Sequence, residues 1–237
     1  MKSRLKYGDT TIEYDIIYSN RKTLEISVKA PDIVTVRCPN HLNDDEIEKS
    51  VRNRGRWIIE KLYLLSKVNT IPINREYVPG ESFMYLGRNY SLRVVVDEGL
   101  KKPEVKLFRG RFIINTPAKD EELMKSAMED WYKEKAKKTI EERVKYYSKY
   151  FKIKPNKVKI KDQKSRWGSC TSKNDLLFNY KLIMSPSPVL DYVVVHEMCH
   201  MEHKDHSRNF WKRVKSILND YEERRRWLRE HGVKMDV

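Results

Sequence analysis

Residues 187–201 read Ser187-Pro188-Val189-Leu190-Asp191-Tyr192-Val193-Val194-Val195-His196-Glu197-Met198-Cys199-His200-Met201. Ser187 is placed to cap a helix and Pro188 suits its first position. Leu190, Val193, Val194 and Met198 then predict that this helix is buried. His196 and His200, four apart, share one helical face about 6 Å apart along the axis. Two imidazoles so placed can converge on one Zn²⁺ at about 2.0–2.1 Å. Glu197 sits to the side of the pair, where its carboxylate can reach a water without being a ligand. His-Glu-x-x-His is the metal-peptidase pattern. Met198 and Cys199 between the histidines are uncharged, as a packed interior requires.

A catalytic zinc needs a third protein ligand and an open position. Four of the six histidines fall within eleven residues, which offers His203 and His206. His203 is on the same helical stripe, but about 10.5 Å from His196 along the axis. It is expected to be a supporting group or a turn residue. His206 is the better candidate, because Lys204-Asp205 can return the chain toward the metal. Ser207 can then cap a new helix carrying Phe210, Trp211, Val214 and Leu218. A carboxylate from the last helix, Glu222 or Glu223, is the other option. The spacing His196–His200–His206 equals that of metzincins. Those need glycine where His203 stands, and no Met-turn is evident, so that reading is disfavoured.

Working outward, residues 157–161 and 176–183 read as short strands, with Asn174-Asp175 turning the chain between them. From Asp120 the period is helical, with Tyr132, Ala136, Ile140, Val144, Tyr147 and Phe151 on one stripe and Pro155-Asn156 as the stop. Earlier, 83–86 with 90–96, and 105–108 with 112–115, read as two hairpins around Gly87 and Gly110. The first stretch is also strand-rich, over 11–18, 23–29 and 33–38, with Ser19-Asn20 and Pro31-Asp32 as turns. A helical region follows over 43–66, with Asn43 and Glu46 as a capping box and Gly55 as a break. Ile47, Val51, Ile58, Leu62 and Leu65 fall near one face of it. The expected class is α+β. A strand-rich region over 1–118 precedes a metal-binding domain over 119–237.

The 237 residues suffice to bury a real core. Aromatics at 11% argue against disorder, and no apolar run nears the roughly 20 residues a membrane helix needs. The N-terminus lacks the apolar stretch of a secretory signal. Three distant cysteines, Cys38, Cys170 and Cys199, argue against a disulfide framework and fit a reducing cytoplasm. The formal charge is +15, which favours polyanionic partners. Residues 131–166 hold fourteen Lys/Arg against four Asp/Glu. Tyr132, Tyr146, Tyr147, Tyr150 and Phe151 are interleaved there, a pattern that suits nucleic acid or a solvated helix with its aromatics in the core.

Three stretches carry a family resemblance: Ser165-Arg166-Trp167-Gly168-Ser169-Cys170, Asp191 through His200, and His206-Ser207-Arg208-Asn209-Phe210-Trp211. In order and separation they resemble the YgjP-like metallopeptidases, relatives of SprT and Spartan-type zinc proteases. The N-terminal half, ending in Arg56-Trp57-Ile58, is similar to that family's strand-rich region. The resemblance implies a zincin-like domain over 119–237 built on a His-Glu-x-x-His active-site helix. It also implies His196, His200 and His206 as zinc ligands and Glu197 as the catalytic residue.

The function expected is a cytoplasmic zinc peptidase acting on protein or peptide substrates, with no membrane partner. Glu197 takes the proton of a metal-activated water and later delivers one to the leaving amine. Arg166, Tyr180 and Tyr192 are candidates for stabilising the oxyanion. The alternatives are a nucleic-acid-associated protease using the basic 131–166 segment, and a zinc-stabilised module that binds nucleic acid or protein. Arg166-Trp167-Gly168-Ser169 reads either as a turn lining the site or as a hairpin with a packed Trp. Cys199 reads as a small buried hydrophobe, and Cys170 is left open.

Overall fold

A computed structural model describes residues 2–8, 10–29, 32–66, 75–163 and 166–237. Pro31 of the expected turn and Ser165 of the tryptophan stretch lie outside them. The structure is α+β, with a strand-rich N-terminal region and six α-helices among the described residues. No helix of the described residues is long and apolar enough to cross a membrane. By contacts the chain divides into two compact units, Met1–Pro72 and Ile73–Val237.

In the first unit, β1 (Lys2–Tyr7), β2 (Thr10–Ser19), β3 (Glu25–Lys29) and β4 (Ile33–Pro39) form a sheet of order β1-β2-β4-β3. The β2–β4 pair is parallel and the others antiparallel. Alternation along β2 sends Ile12, Tyr14 and Ile16 inward. They join Val34, Val36 and Cys38 of β4 and meet α1 (Asp44–Asn53) and α2 (Gly55–Ser66) through Ile47, Val51 and Ile58. The capping box forms as expected: the Asn43 side chain accepts from Glu46 N–H at 2.9 Å, and Glu46 accepts from Asn43 N–H at 3.1 Å. Gly55 does divide the helices, but packing explains the residue. A Cβ there would lie 2.3 Å from the Tyr7 ring.

The second unit begins with β5 (Ser82–Tyr85), β6 (Arg88–Val96), β7 (Glu104–Phe108) and β8 (Arg111–Thr116), ordered β5-β6-β8-β7. Both hairpins have two-residue turns, Leu86-Gly87 and Arg109-Gly110, with all four residues at positive φ. That geometry matches the strand twist. The Leu86 and Gly87 amides donate to the Ile183 and Met184 carbonyls.

The boundary expected near 118 is not where the packing divides. Phe83 and Phe112 of this sheet pack with α3 (Glu121–Tyr147), whose Trp131 ring lies 4.9 Å from Phe112. Tyr132 Oη donates to the Met84 carbonyl at 2.8 Å. The sheet has one apolar face, and α3 covers it, so both belong to one core.

The stripe on α3 is buried as expected. The helix stops at Tyr147 and passes through a 3₁₀ turn, Ser148–Tyr150, instead of running to Pro155. Phe151 adopts an extended backbone and still packs into the core.

Next come β9 (Lys157–Lys161), β10 (Gly168–Cys170) and β11 (Asp175–Asn179), ordered β10-β11-β9. The strand expected over 176–183 ends at Asn179 and becomes a 3₁₀ helix, Tyr180–Met184. Asn179 forces the change: its side chain accepts from Lys181 N–H and donates to the Gln163 carbonyl. Asn174 turns the chain between β10 and β11, with β9 parallel to β11.

The remaining helices are α4 (Ser187–Cys199), α5 (Arg208–Ile217) and α6 (Tyr221–His231). Pro186, not Ser187, takes the capping position of α4, and no side chain caps it. Asp191 ties α4 to α3. Its two carboxylate oxygens accept from Arg143 at 2.6 Å each, and Tyr147 Oη donates at 3.0 Å. Asp191 is 8% exposed, so Asp191→Ala strands a guanidinium at a partly dry interface. Because Arg143 keeps some access to solvent, the expected loss is about 2 kcal/mol. Thermal melting should show it as a Tm lower by roughly 5 °C.

Candidate metal centre

The last turn of α4 carries His196 and Glu197, and His200 is its C-terminal cap residue. The chain then turns through Met201–Ser207, where the Met201 and His203 amides still bond back to Met198 and Cys199. Lys204 Nζ holds the loop by donating to Asn174 Oδ1 at 2.7 Å. His206 is thereby returned to the pair. One ligand atom from each of His196, His200 and His206 lies within 4.8 Å of the others. The Nε2 atoms of His196 and His206 are 3.1 Å apart.

Phe210 of α5 supports all three rings, stacking on His200 at 4.5 Å and meeting His196 and His206 at 4.9 Å each. Trp211 stacks on His206, and Tyr221 stacks on Trp211. The Arg225 guanidinium lies over the Trp211 ring at 4.8 Å. Phe210 and Trp211 lay in a stretch the sequence singled out, but their packing on the imidazoles depends on the loop's return. Arg225 gave no signal in the sequence, since it is one basic residue among many on α6.

His203 does not join the cluster through its ring. Its carbonyl lies 2.9 Å from His200 Nδ1, which leaves His200 Nε2 for other work. Glu222 and Glu223, the alternative carboxylates, are exposed on α6 and outside the cluster, with Glu222 taken by Tyr221 Oη. Burial first, then the fields of His200 and His206, push His196 down to about 3, so its ring is neutral near pH 7. Neutral imidazole is the form that ligates.

The donor set fits a zinc ion. Tetrahedral zinc with bonds of about 2.05 Å puts neighbouring nitrogens about 3.4 Å apart, close to the separation of His196 and His206.

Glu197 is 5% exposed. Burial raises its carboxyl to about 8, against the opposing field of Arg166. Of the candidates for oxyanion contact, Tyr192 packs beside His196 at 5.7 Å and its hydroxyl is pushed up to about 12 by burial. Arg166 is exposed, within the field of Glu197. Tyr180 instead lines a separate polar cavity with Arg75, Glu129 and Lys181. Cys199 is fully buried with a thiol pushed up to about 12, the behaviour of a small hydrophobe.

Residues 22–231 match the family model described as YgjP-like, metallopeptidase domain. The chain belongs to the YgjP-like family. It therefore carries a metallopeptidase domain, and the histidine cluster lies within the matched residues. No curated protein and no solved structure matches the chain.

In this YgjP-like chain the basic 131–166 segment divides by face. Tyr132, Tyr147 and Phe151 are core residues. Tyr146 and Tyr150 are exposed, with Lys149 Nζ over both rings and Arg143 over Tyr146. The aromatic periodicity thus belongs mostly to the core.

Proposed function

We propose that this metallopeptidase is a zinc enzyme in which His196, His200 and His206 hold the ion and Glu197 is the general base. The observation that supports it is the convergence of three imidazoles from a helix end and a returning loop, with a buried carboxylate, Glu197, next to His196 in the chain. Zinc held there would act as a Lewis acid on the scissile carbonyl and lower the pKa of water toward ~7.

The protein's own residues do the rest. Glu197 accepts a proton from the attacking water, holds it on its carboxylate, and gives it to the leaving amine nitrogen. Burial raises the carboxyl, which favours its holding the proton between the two transfers. Tyr192, beside His196, and Arg166, whose field reaches Glu197, are the candidates for meeting negative charge on the carbonyl oxygen. His203 orients His200 through its carbonyl, and Phe210 limits how far the three rings can turn. The domain is read as zincin-like, and a cytoplasmic location is consistent with three free cysteines.

Elemental analysis of the purified protein, offered zinc and then freed of excess, should find about one zinc per chain. Removal by a strong chelator should abolish hydrolysis of a denatured protein substrate, and zinc should restore it. A protein that holds no metal would overturn the reading.

A second reading is that the protease works on nucleic-acid-associated substrates. It is favoured by the groove between α3 and β9, where Lys133, Lys137, Lys159 and Lys161 gather. Binding to a duplex at ~50 mM salt should fall steeply by ~200 mM salt. Lack of binding at the lower salt removes this reading. Zinc with binding but no hydrolysis would favour a zinc-stabilised binding module.

A further inference from the structure

The Arg166–Cys170 stretch has no role in the ligand set or the proton transfer, yet its strand lies against α4. Gly168 is the first residue of β10, paired with Phe178 of β11. A Cβ built on Gly168 would lie 2.6 Å from Glu197 Cγ, 2.8 Å from Oε1 and 2.9 Å from Cδ. Real Cβ atoms are not found that close, so the Glu197 side chain occupies the space a side chain at 168 would need. Gly168 is not among the residues with positive φ. Its backbone would accept any residue, and the neighbour alone demands glycine.

Neither backbone can easily give way. The strand is held at its entry by Asn179, which is 3% exposed: its N–H donates to the Trp167 carbonyl at 2.9 Å and its side chain donates to the Gln163 carbonyl. Trp167 packs against Gly232 on the other side, where a Cβ would lie 2.8 Å from the indole. Helix α4 is held by the Asp191–Arg143 pair. The two adjacent residues Trp167 and Gly168 therefore lean on opposite partners, a C-terminal turn and the carboxylate.

We propose that Gly168 is a positioning residue: its bare Cα forms one wall of the slot that fixes the Glu197 carboxylate beside the histidine cluster. The proposal rests on the reading of Glu197 as the base. With a methyl at 168, the Glu197 side chain must turn by about an ångström, a displacement that can cost about a hundredfold in rate.

The test combines kinetics with a melting cycle that needs no activity. Gly168→Ala should lower kcat about a hundredfold, leave KM within about twofold, and keep the wild-type zinc content. A merely structural role would change stability or metal content without that split. Gly168→Ala should also lower the Tm of the metal-free protein by about 5 °C. In a Glu197→Ala background, where the methyl meets vacated space, the same substitution should change Tm by no more than about 2 °C. A variant that unfolds in the wild-type background but folds in the Glu197→Ala background gives the same answer.

Additive Tm losses in the two backgrounds would overturn the contact. An active wild type whose Gly168→Ala variant keeps its kcat would overturn the proposal alone. An inactive zinc-loaded wild type would overturn the reading of Glu197 and the proposal with it.

Discussion

Glu197→Gln is expected to keep about one zinc per chain and to lose peptide hydrolysis by about 10³-fold or more, in the upper range for a general base. The amide has the shape of the carboxylate, so the slot beside Gly168 stays filled and the fold is retained. What it lacks is the ability to take a proton from water and return it to the leaving amine. Because Glu197 is buried, no bulk base can substitute at that position. The measurements are kcat/KM on a peptide substrate, elemental zinc, and Tm, which should stay within about 2 °C of wild type. Retained hydrolysis would remove Glu197 from the mechanism. Loss of zinc would instead make it part of the metal's support.

His196→Ala should have the largest effect on the metal. Removing one of the three proposed ligands should drop zinc content to near zero after removal of excess ion. Hydrolysis should disappear with it. A ligand that binds only the folded state stabilises it by about 4 kcal/mol at a thousandfold excess over Kd. Zinc should therefore raise the wild-type Tm by roughly 10 °C and leave that of His196→Ala unmoved. His203→Ala is the control. Only the backbone carbonyl of His203 meets His200, so that variant should still bind zinc. If it lost zinc as fully as His196→Ala, the assignment of His206 rather than His203 would fail.

The residues bearing on these two results differ in how they could be found. The His196/Glu197/His200 spacing is a property of one helix turn, and any local reading detects it. The sequence argument for His206 over Glu222 and Glu223 is that two polar residues can turn a chain. That argument names a direction of return but not its end point. The end point depends on Lys204 reaching Asn174, thirty residues earlier. Gly168 could be flagged in the sequence, but not explained. Its reason is a side chain on another element, and nothing about its own backbone is unusual.

The same division runs through the fold. The capping box at Asn43, the α3 stripe, the two hairpins and the apolar run of α4 depend on residues within a few positions of one another, so they are legible in the sequence. The parallel pairings β2–β4 and β6–β8, the union of the 82–116 sheet with α3, and the 3₁₀ turn after Asn179 come from contacts between distant residues. Periodicity and capping are satisfied within a turn of helix or a length of strand. Which apolar face covers which, and where a buried amide finds its partner, depends on contacts between residues far apart in the chain.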